Sequence, residues 1–307
     1  MARAACGDRR LIGTGHEAHP GCRRVRCAVF LSLVFWVLPD AVSSAASKVS
    51  AILIVKDALT VPNRPATIEA RLLQPGLMSD TGLGGESLQM EIGGHTVATA
   101  MTGGDGRAYF EYTPKARGNV VFGVALPSSP RVDAPRASGL LAVWEHRKPI
   151  LLVEAMALID RQAESPIPSV PFGKPAVPPL KPAADAADEL TRLAQFYYNV
   201  IYVAPPDEGP FSAAASNEFR QWLADNRFPT GLILHKQISP AGLGTMLDDL
   251  KHDGWTSLKS GIGRTPAFAA LLVERRMEAV LVPEPAKGEV PRKVKTAKDW
   301  KDVRKKL

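Results

Sequence analysis

Glu154 and Arg264 are the charged side chains best placed to do chemistry in this 307-residue chain. Glu154 follows the apolar run Pro149-Ile150-Leu151-Leu152-Val153, and Arg264 follows Ser260-Gly261-Ile262-Gly263. A carboxylate and a guanidinium at strand ends can hold an anion or form a permanently charged, metal-free site. Turnover asks for more. Met156, two residues past Glu154, is a thioether and carries no proton. Ala204 closes the run Ile201-Tyr202-Val203 without a hydroxyl. Lys236, just beyond Gly231–Leu234, is a third candidate ligand-binding charge, with Lys251 and Lys259 further on. His16, His19, His146, His235 and His252 show no metal-ligand spacing, and His95 beside a turn reads as solvated. No metal site and no catalytic residue is expected from these types.

The elements that position these residues alternate between strand and helix. The unbroken apolar strand 149–153 reads as a parallel strand buried on both faces. An amphipathic helix spans 185–196, with Ala186, Leu190, Leu193 and Ala194 on one face. Strand 199–203, helix 212–226 carrying Phe219, Trp222 and Leu223, strand 231–234 and helix 243–250 follow. Strand 257–262, helix 266–276 and strand 278–282 complete a parallel α/β sheet. The proline-rich stretch 165–182 lies between the first strand and its helix. It reads as an extended polyproline-like flap, or as a ligand for a partner protein's aromatic groove.

Residues 48–146 have a different period. Ala66–Leu72, Leu88–Ile92 and Arg107–Tyr112 alternate apolar and polar, and Gly93-Gly94 makes a hairpin turn. Strands at 50–55, 119–126 and 140–144 complete a β-sandwich. The phrase Thr102-Gly103-Gly104-Asp105-Gly106-Arg107-Ala108-Tyr109-Phe110-Glu111-Tyr112-Thr113-Pro114, with Gly118 beyond, resembles the Ig-like modules of bacterial surface and periplasmic proteins. That resemblance implies a scaffold, not a catalyst.

Residues 148–285 resemble the haloacid-dehalogenase (HAD) branch that includes lipin-like and App1-like phosphatidate phosphatases. The residues that carry the likeness are Leu152-Val153-Glu154, Tyr198 to Val203, Phe219-Arg220-Gln221-Trp222-Leu223, Phe228-Pro229-Thr230-Gly231 and Gly261-Ile262-Gly263-Arg264. The resemblance implies an aspartate nucleophile where this chain has Glu154 and a second aspartate where it has Met156. It implies a Thr or Ser at Ala204, a Lys within 242–247, and an Mg²⁺-binding acid at Arg264. Leu158 replaces a further Thr. Every one of these roles is altered, so the vestigial site Glu154, Met156, Ala204 and Arg264 implies a pseudophosphatase with a binding or structural role. The alternative is a divergent phosphatase acting on a phospholipid or small phosphate ester, which alone would need Mg²⁺. The same likeness brings Glu154 and Arg264 to one sheet edge, where the guanidinium is expected to pair with the carboxylate.

Composition bounds the partners. The net charge is +7, but residues 1–46 hold six Arg against three acids, leaving 32 Lys/Arg against 28 Asp/Glu, or +4. That balance does not favour nucleic acid. Arg23-Arg24-Val25-Arg26, the apolar run Ala28–Leu38 and Ser43-Ser44-Ala45-Ala46 read as a signal peptide over 1–46. A periplasmic or extracellular location is expected, with an uncleaved N-terminal anchor less so because the run falls short of the ~20 residues that span a bilayer. Cys6, Cys22 and Cys27 all lie in this segment. In the tail 287–307, Thr296 reads as a helix N-cap with Asp299 as its acidic third residue. Trp300, Val303 and Leu307 fall on one face, for docking on the sheet. Alternatively Lys301, Arg304, Lys305 and Lys306 beside Trp300 meet an anionic membrane surface.

Overall fold

The computed structural model describes residues 47–77, 79–160, 180–207, 209–286 and 290–307. The signal-peptide reading (1–46) and most of the proline-rich stretch lie outside these residues. Residues Ala46–Leu307 form one compact unit, dominated by strands in several sheets. None of the described helices is long and apolar enough to cross a membrane.

The first half holds eleven strands. They are β1 (Val49–Ser50), β2 (Ile52–Val55), β3 (Ala58–Thr60), β4 (Ala66–Gln74), β5 (Thr81–Gly82) and β6 (Ser87–Ile92), then β7 (His95–Met101), β8 (Arg107–Tyr112), β9 (Gly118–Ala125), β10 (Val132–Asp133) and β11 (Ala137–Val143). One sheet runs β3-β11-β9-β6-β7, and a second runs β2-β4-β5 with β8 beside β4. Alternation does the folding: Ala66, Ile68, Ala70 and Leu72 of β4 face inward against Leu88, Met90, Phe110 and Phe122. Phe110 is buried while Tyr109 and Glu111 face out, as their period of two requires. Gly93 and Gly94 both take positive φ, 58° and 81°, which matches a two-residue turn between β6 and β7.

The second half is a six-stranded, wholly parallel sheet in the order β14-β13-β12-β15-β16-β17. Its strands are β12 (Ile150–Glu154), β13 (Asn199–Ala204), β14 (Leu232–His235), β15 (Leu258–Gly263), β16 (Glu278–Leu281) and β17 (Lys295–Thr296). Its helices are α1 (Ala186–Phe196), α2 (Ser216–Asp225), α3 (Thr245–His252), α4 (Pro266–Glu274) and α5 (Trp300–Lys306). The face of Leu151 and Val153 packs on α1, α2 and α5. The face of Ile150 and Leu152 packs on α3, α4, Ala142 and Trp144. Burial on both faces explains why β12 is apolar throughout. The chain fills the sheet outward from β12 to β14, then returns to β15. The order therefore reverses between β12 and β15, where parallel sheets open a crevice at their carboxyl ends.

The tail belongs to this sheet. Lys295–Thr296 pairs with β16, and Trp300 and Val303 are buried in the α1/α2 core. Two expectations are corrected here. The N-cap of α5 is Asp299, whose side chain accepts from Asp302 N at 2.9 Å, whereas Thr296 lies in β17. Pairing with β16 holds Thr296 in an extended strand, and the Asp299 carboxylate meets its own N3 amide, so the helix starts three residues later than the Thr-based reading. Trp300 does not reach any outer surface: it is buried, and its Nε1 donates to Ala157 O at 3.2 Å.

The two halves share a polar seam. The side chain of Asp57, in the turn after β2, is buried. Its Oδ1 accepts from Leu140 N (2.8 Å) and Arg220 Nη2 (2.7 Å), and its Oδ2 accepts from Ile233 N (2.7 Å). One carboxylate thus ties β11, α2 and β14 together. Asn217 Oδ1 accepts from both N and Oγ of Ser138 at 2.9 Å, and Asn119 bridges Trp144 Nε1 to Thr230 O.

Candidate functional site

The carboxyl ends of β14, β13, β12, β15 and β16 line one edge. The register sets Glu154 beside Val203, and Val153 beside Ile262, so Glu154 and Gly263 end neighbouring strands. Thr265 caps α4: its φ/ψ are extended and its Oγ1 accepts from Phe268 N at 3.3 Å, with Pro266 at the first helical position. Glu154 points into this cap. Its Oε2 accepts from Arg264 N at 2.6 Å and Thr265 N at 2.9 Å, and its Oε1 accepts from Thr265 Oγ1 at 2.8 Å. The carboxylate therefore sits where a helix N-terminus receives an anion, supplied by the chain itself. Gly263 makes room for it, since a Cβ there would run into Phe268 and come within 2.8 Å of Glu154 Oε2.

Burial pushes the Glu154 carboxyl above its ordinary value of 4.5. The amide and hydroxyl of Thr265, the amide of Arg264 and the Arg264 charge all work against that rise. The expected pairing of guanidinium with carboxylate is corrected in its detail. Arg264 gives Glu154 its main-chain N–H, while its Nη1 donates to Met156 O and Ile159 O, each at 3.1 Å. The carbonyl of Met156 in the tight turn Ala155–Leu158 and that of Ile159 just after it would otherwise turn toward the guanidinium without a donor, and satisfying them outweighs a second contact to a carboxylate already held by three donors.

The remaining sequence-predicted residues spread out. Met156 is half-buried in that 3-10 turn, and Ala204 is buried at the end of β13, its carbonyl accepting from Lys236 N at 2.9 Å. Lys236 is exposed, beyond the end of β14 and two strands away from β12. The edge thus gathers Glu154, Met156 and Arg264 around one loop and leaves Lys236 to the side. Ala183 N bonds Leu158 O (2.7 Å) and Asp160 N bonds Lys181 O (2.9 Å), so residues 158–160 and 181–183 run side by side next to this turn.

Sequence reasoning missed two residues here. Thr265 holds two of the three donors to Glu154, and the Thr-Pro pair before an apolar run was its signal. His235, at the end of β14, lies within 3.3 Å of Ser216 Oγ through Nε2 and 3.4 Å of Pro205 O through Nδ1. Burial lowers its pKa, the Pro205 carbonyl and Asp57 oppose that, and Arg220 adds to it. Among the described residues, no group of three or more His, Cys, Asp or Glu is arranged to hold a metal ion.

No protein-family model matches the chain, and no curated protein does. Solved structures give partial likenesses. The D0-D1 domain of intimin aligns at 14% identity and a TM-score of 0.21, over 29% of this chain and 47% of that one. The CARDB domain of a Pyrococcus furiosus protein aligns at 14% identity and a TM-score of 0.20, over 32% of this chain and 99% of that one. A beta-glycosidase from Bacteroides vulgatus aligns at 11% identity and a TM-score of 0.29, over 76% of this chain and 33% of that one. TM-scores this low carry no argument about fold or chemistry.

Proposed function

We propose that this is an exported, non-catalytic protein with a binding or structural role. In this reading an Ig-like sandwich precedes a HAD-like α/β half whose phosphohydrolase site is retired. One observation carries it: the carboxylate in the nucleophile position is spent on structure. Glu154 accepts from two main-chain amides and a hydroxyl, at the N-terminus of α4. A nucleophile needs a lone pair aimed at an incoming phosphorus atom, in line with the leaving group. Here three donors take three of the roughly four lone-pair sites of the carboxylate and fix its orientation toward the α4 cap. Met156 has no proton to give and Ala204 no hydroxyl, so the acid/base and phosphate-holding roles have no side chain at those positions. Arg264 places a fixed positive charge where a metal ligand would have to be negative.

Two measurements test the reading on the unit Ala46–Leu307. Titration calorimetry with Mg²⁺ is expected to give no binding heat. Phosphatase assays with p-nitrophenyl phosphate and with phosphatidate are expected to give no turnover. Mg²⁺-dependent turnover that vanishes in Glu154→Gln would overturn it, because the carboxylate would then be reacting rather than capping a helix.

A further inference from the structure

Phe196 and Tyr197 close α1 as an exposed aromatic pair, 65% and 60% accessible, with ring centroids 6.3 Å apart. Tyr198 continues the row at 6.4 Å. Chain direction puts this pair beside the start of β13, at the opposite end of the sheet from Glu154. Adjacent exposed aromatic rings rimmed by polar residues form the kind of apolar patch that marks a contact surface.

Arg192 and Arg304 meet the pair from α1 and α5, and the four residues line a cleft of about 260 Å³. Beneath lies Glu189, with Arg192 Nη1 at 2.9 Å and Arg304 Nε at 3.7 Å. Two guanidinium groups thus share one carboxylate. The guanidinium side chains are 55% and 53% exposed, and that of Glu189 only 5%. Further along α5, Lys301 is 67% exposed over Asp185 at 37%, and Lys305 is 77% exposed over Asp302 at 28%. Counting Asp188, one turn before Arg192, cations and acids are equal in number on this face. Its sign comes from placement: in each ion pair the cation is the outer member.

We propose that this face docks on a bilayer surface rich in anionic phospholipid. Phe196 and Tyr197 enter the headgroup layer, where amphipathic and aromatic rings are favoured. Arg192 and Arg304 take a lipid phosphate in the cleft, and Lys301 and Lys305 add long-range attraction. The inference does not rest on the reading of the Glu154 site as retired, because these residues lie at the opposite end of the sheet.

The test is vesicle co-sedimentation of the unit Ala46–Leu307, which leaves the apolar N-terminal run out of the measurement. Binding is expected to vesicles of phosphatidylcholine with about one-third phosphatidylglycerol, and not to phosphatidylcholine alone. It is expected to fall steeply as salt rises from about 0.1 M to about 1 M, because the Debye length shrinks to about 3 Å. The double variant Phe196→Ser/Tyr197→Ser should weaken binding at least about tenfold. Lys301→Gln/Lys305→Gln should weaken it severalfold while leaving the melting temperature within about 2 °C, since exposed pairs contribute little to stability. Equal binding to both vesicle types, or variants that bind like the parent, would overturn the proposal. Capture of glycerol phosphate from solution with no vesicle binding would also overturn it, in favour of a soluble-anion site.

Discussion

The Glu154 cap makes a graded prediction. In Glu154→Ala, the amides of Arg264 and Thr265 and the Thr265 hydroxyl lose their acceptor at once. A buried donor left unmet costs about 1–3 kcal/mol. Arg264 and Thr265 are only part-buried, so entering water will recover some of this. A net loss of about 3 kcal/mol is expected, which at a urea slope near 3 kcal/mol/M moves the midpoint down by about 1 M. Glu154→Gln is different in kind. Its amide oxygen can take both main-chain N–H groups, and its NH₂ can donate to Thr265 Oγ1 once that hydroxyl rotates. It also removes a buried charge, so its stability should lie within about 1 kcal/mol of the parent. The pH profile separates the two further. Burial raises the carboxyl above 4.5 in the folded state. A raised acid contributes its stability fully below the unfolded value and loses it as pH rises through the folded value. The parent should therefore gain on Glu154→Gln as pH drops toward 4.5, and fall back above it. Urea melts followed by tryptophan fluorescence at several pH values read all of this. If Glu154→Ala matches the parent within about 0.5 kcal/mol, the donors are not relying on Glu154 and the cap argument fails. If Glu154→Gln is as damaging as Glu154→Ala, the charge rather than the acceptor geometry holds the loop.

Arg264→Ala should cost about 1–2 kcal/mol in the same melts, less than Glu154→Ala, since the main-chain N–H that serves Glu154 survives while the bonds to Met156 O and Ile159 O are lost. A loss as large as that of Glu154→Ala would show that the guanidinium holds the carboxylate after all. Asp57→Ala should cost about 3–5 kcal/mol, because it strands Arg220 and the amides of Leu140 and Ile233; a loss under about 1 kcal/mol contradicts the seam. His235 has a lowered pKa, so the stability it contributes is present above its ordinary 6.5 and is lost as pH falls toward the folded value. His235→Gln should flatten the parent's decline on acidification below 6.5, as read from urea midpoints, and an unchanged slope would assign that decline to other groups.

Much of the backbone is legible in the sequence, because period and punctuation are local signals. The Gly93-Gly94 turn, the alternation of β4 and β8 and the apolar run of β12 each declare themselves within a few residues. Helix α2 shows the limit: its apolar spacing is clear, but it starts at Ser216, four residues after the expected start, because residues 212–215 bend and turn after the short 3-10 turn at 209–211. Strand β3 is three residues long and too short to show a period. The site is legible in its parts and not in its bonding. Strand ends bring Glu154 and Arg264 together, yet the choice between a guanidinium and a main-chain N–H depends on how a three-residue loop turns. Asp57 was invisible for a different reason. Its partners lie 83, 163 and 176 residues away, and an Asp after a strand looks like an ordinary turn residue.

The reach of Asp57 sets a timetable. In chain order the sandwich comes first, and of the three partners of Asp57 it contains the Leu140 amide alone. Arg220 and the Ile233 amide arrive after most of another domain's worth of chain has emerged. Until then the sandwich holds an open, hydrated carboxylate beside Leu140 and Ala142, an apolar strip waiting for its cover. In the folded chain α2 and β14 bring the two remaining donors to that carboxylate. The nascent sandwich is a docking template for the half that follows, so a fragment ending near Glu145 should be soluble yet softer than the same residues in the whole chain.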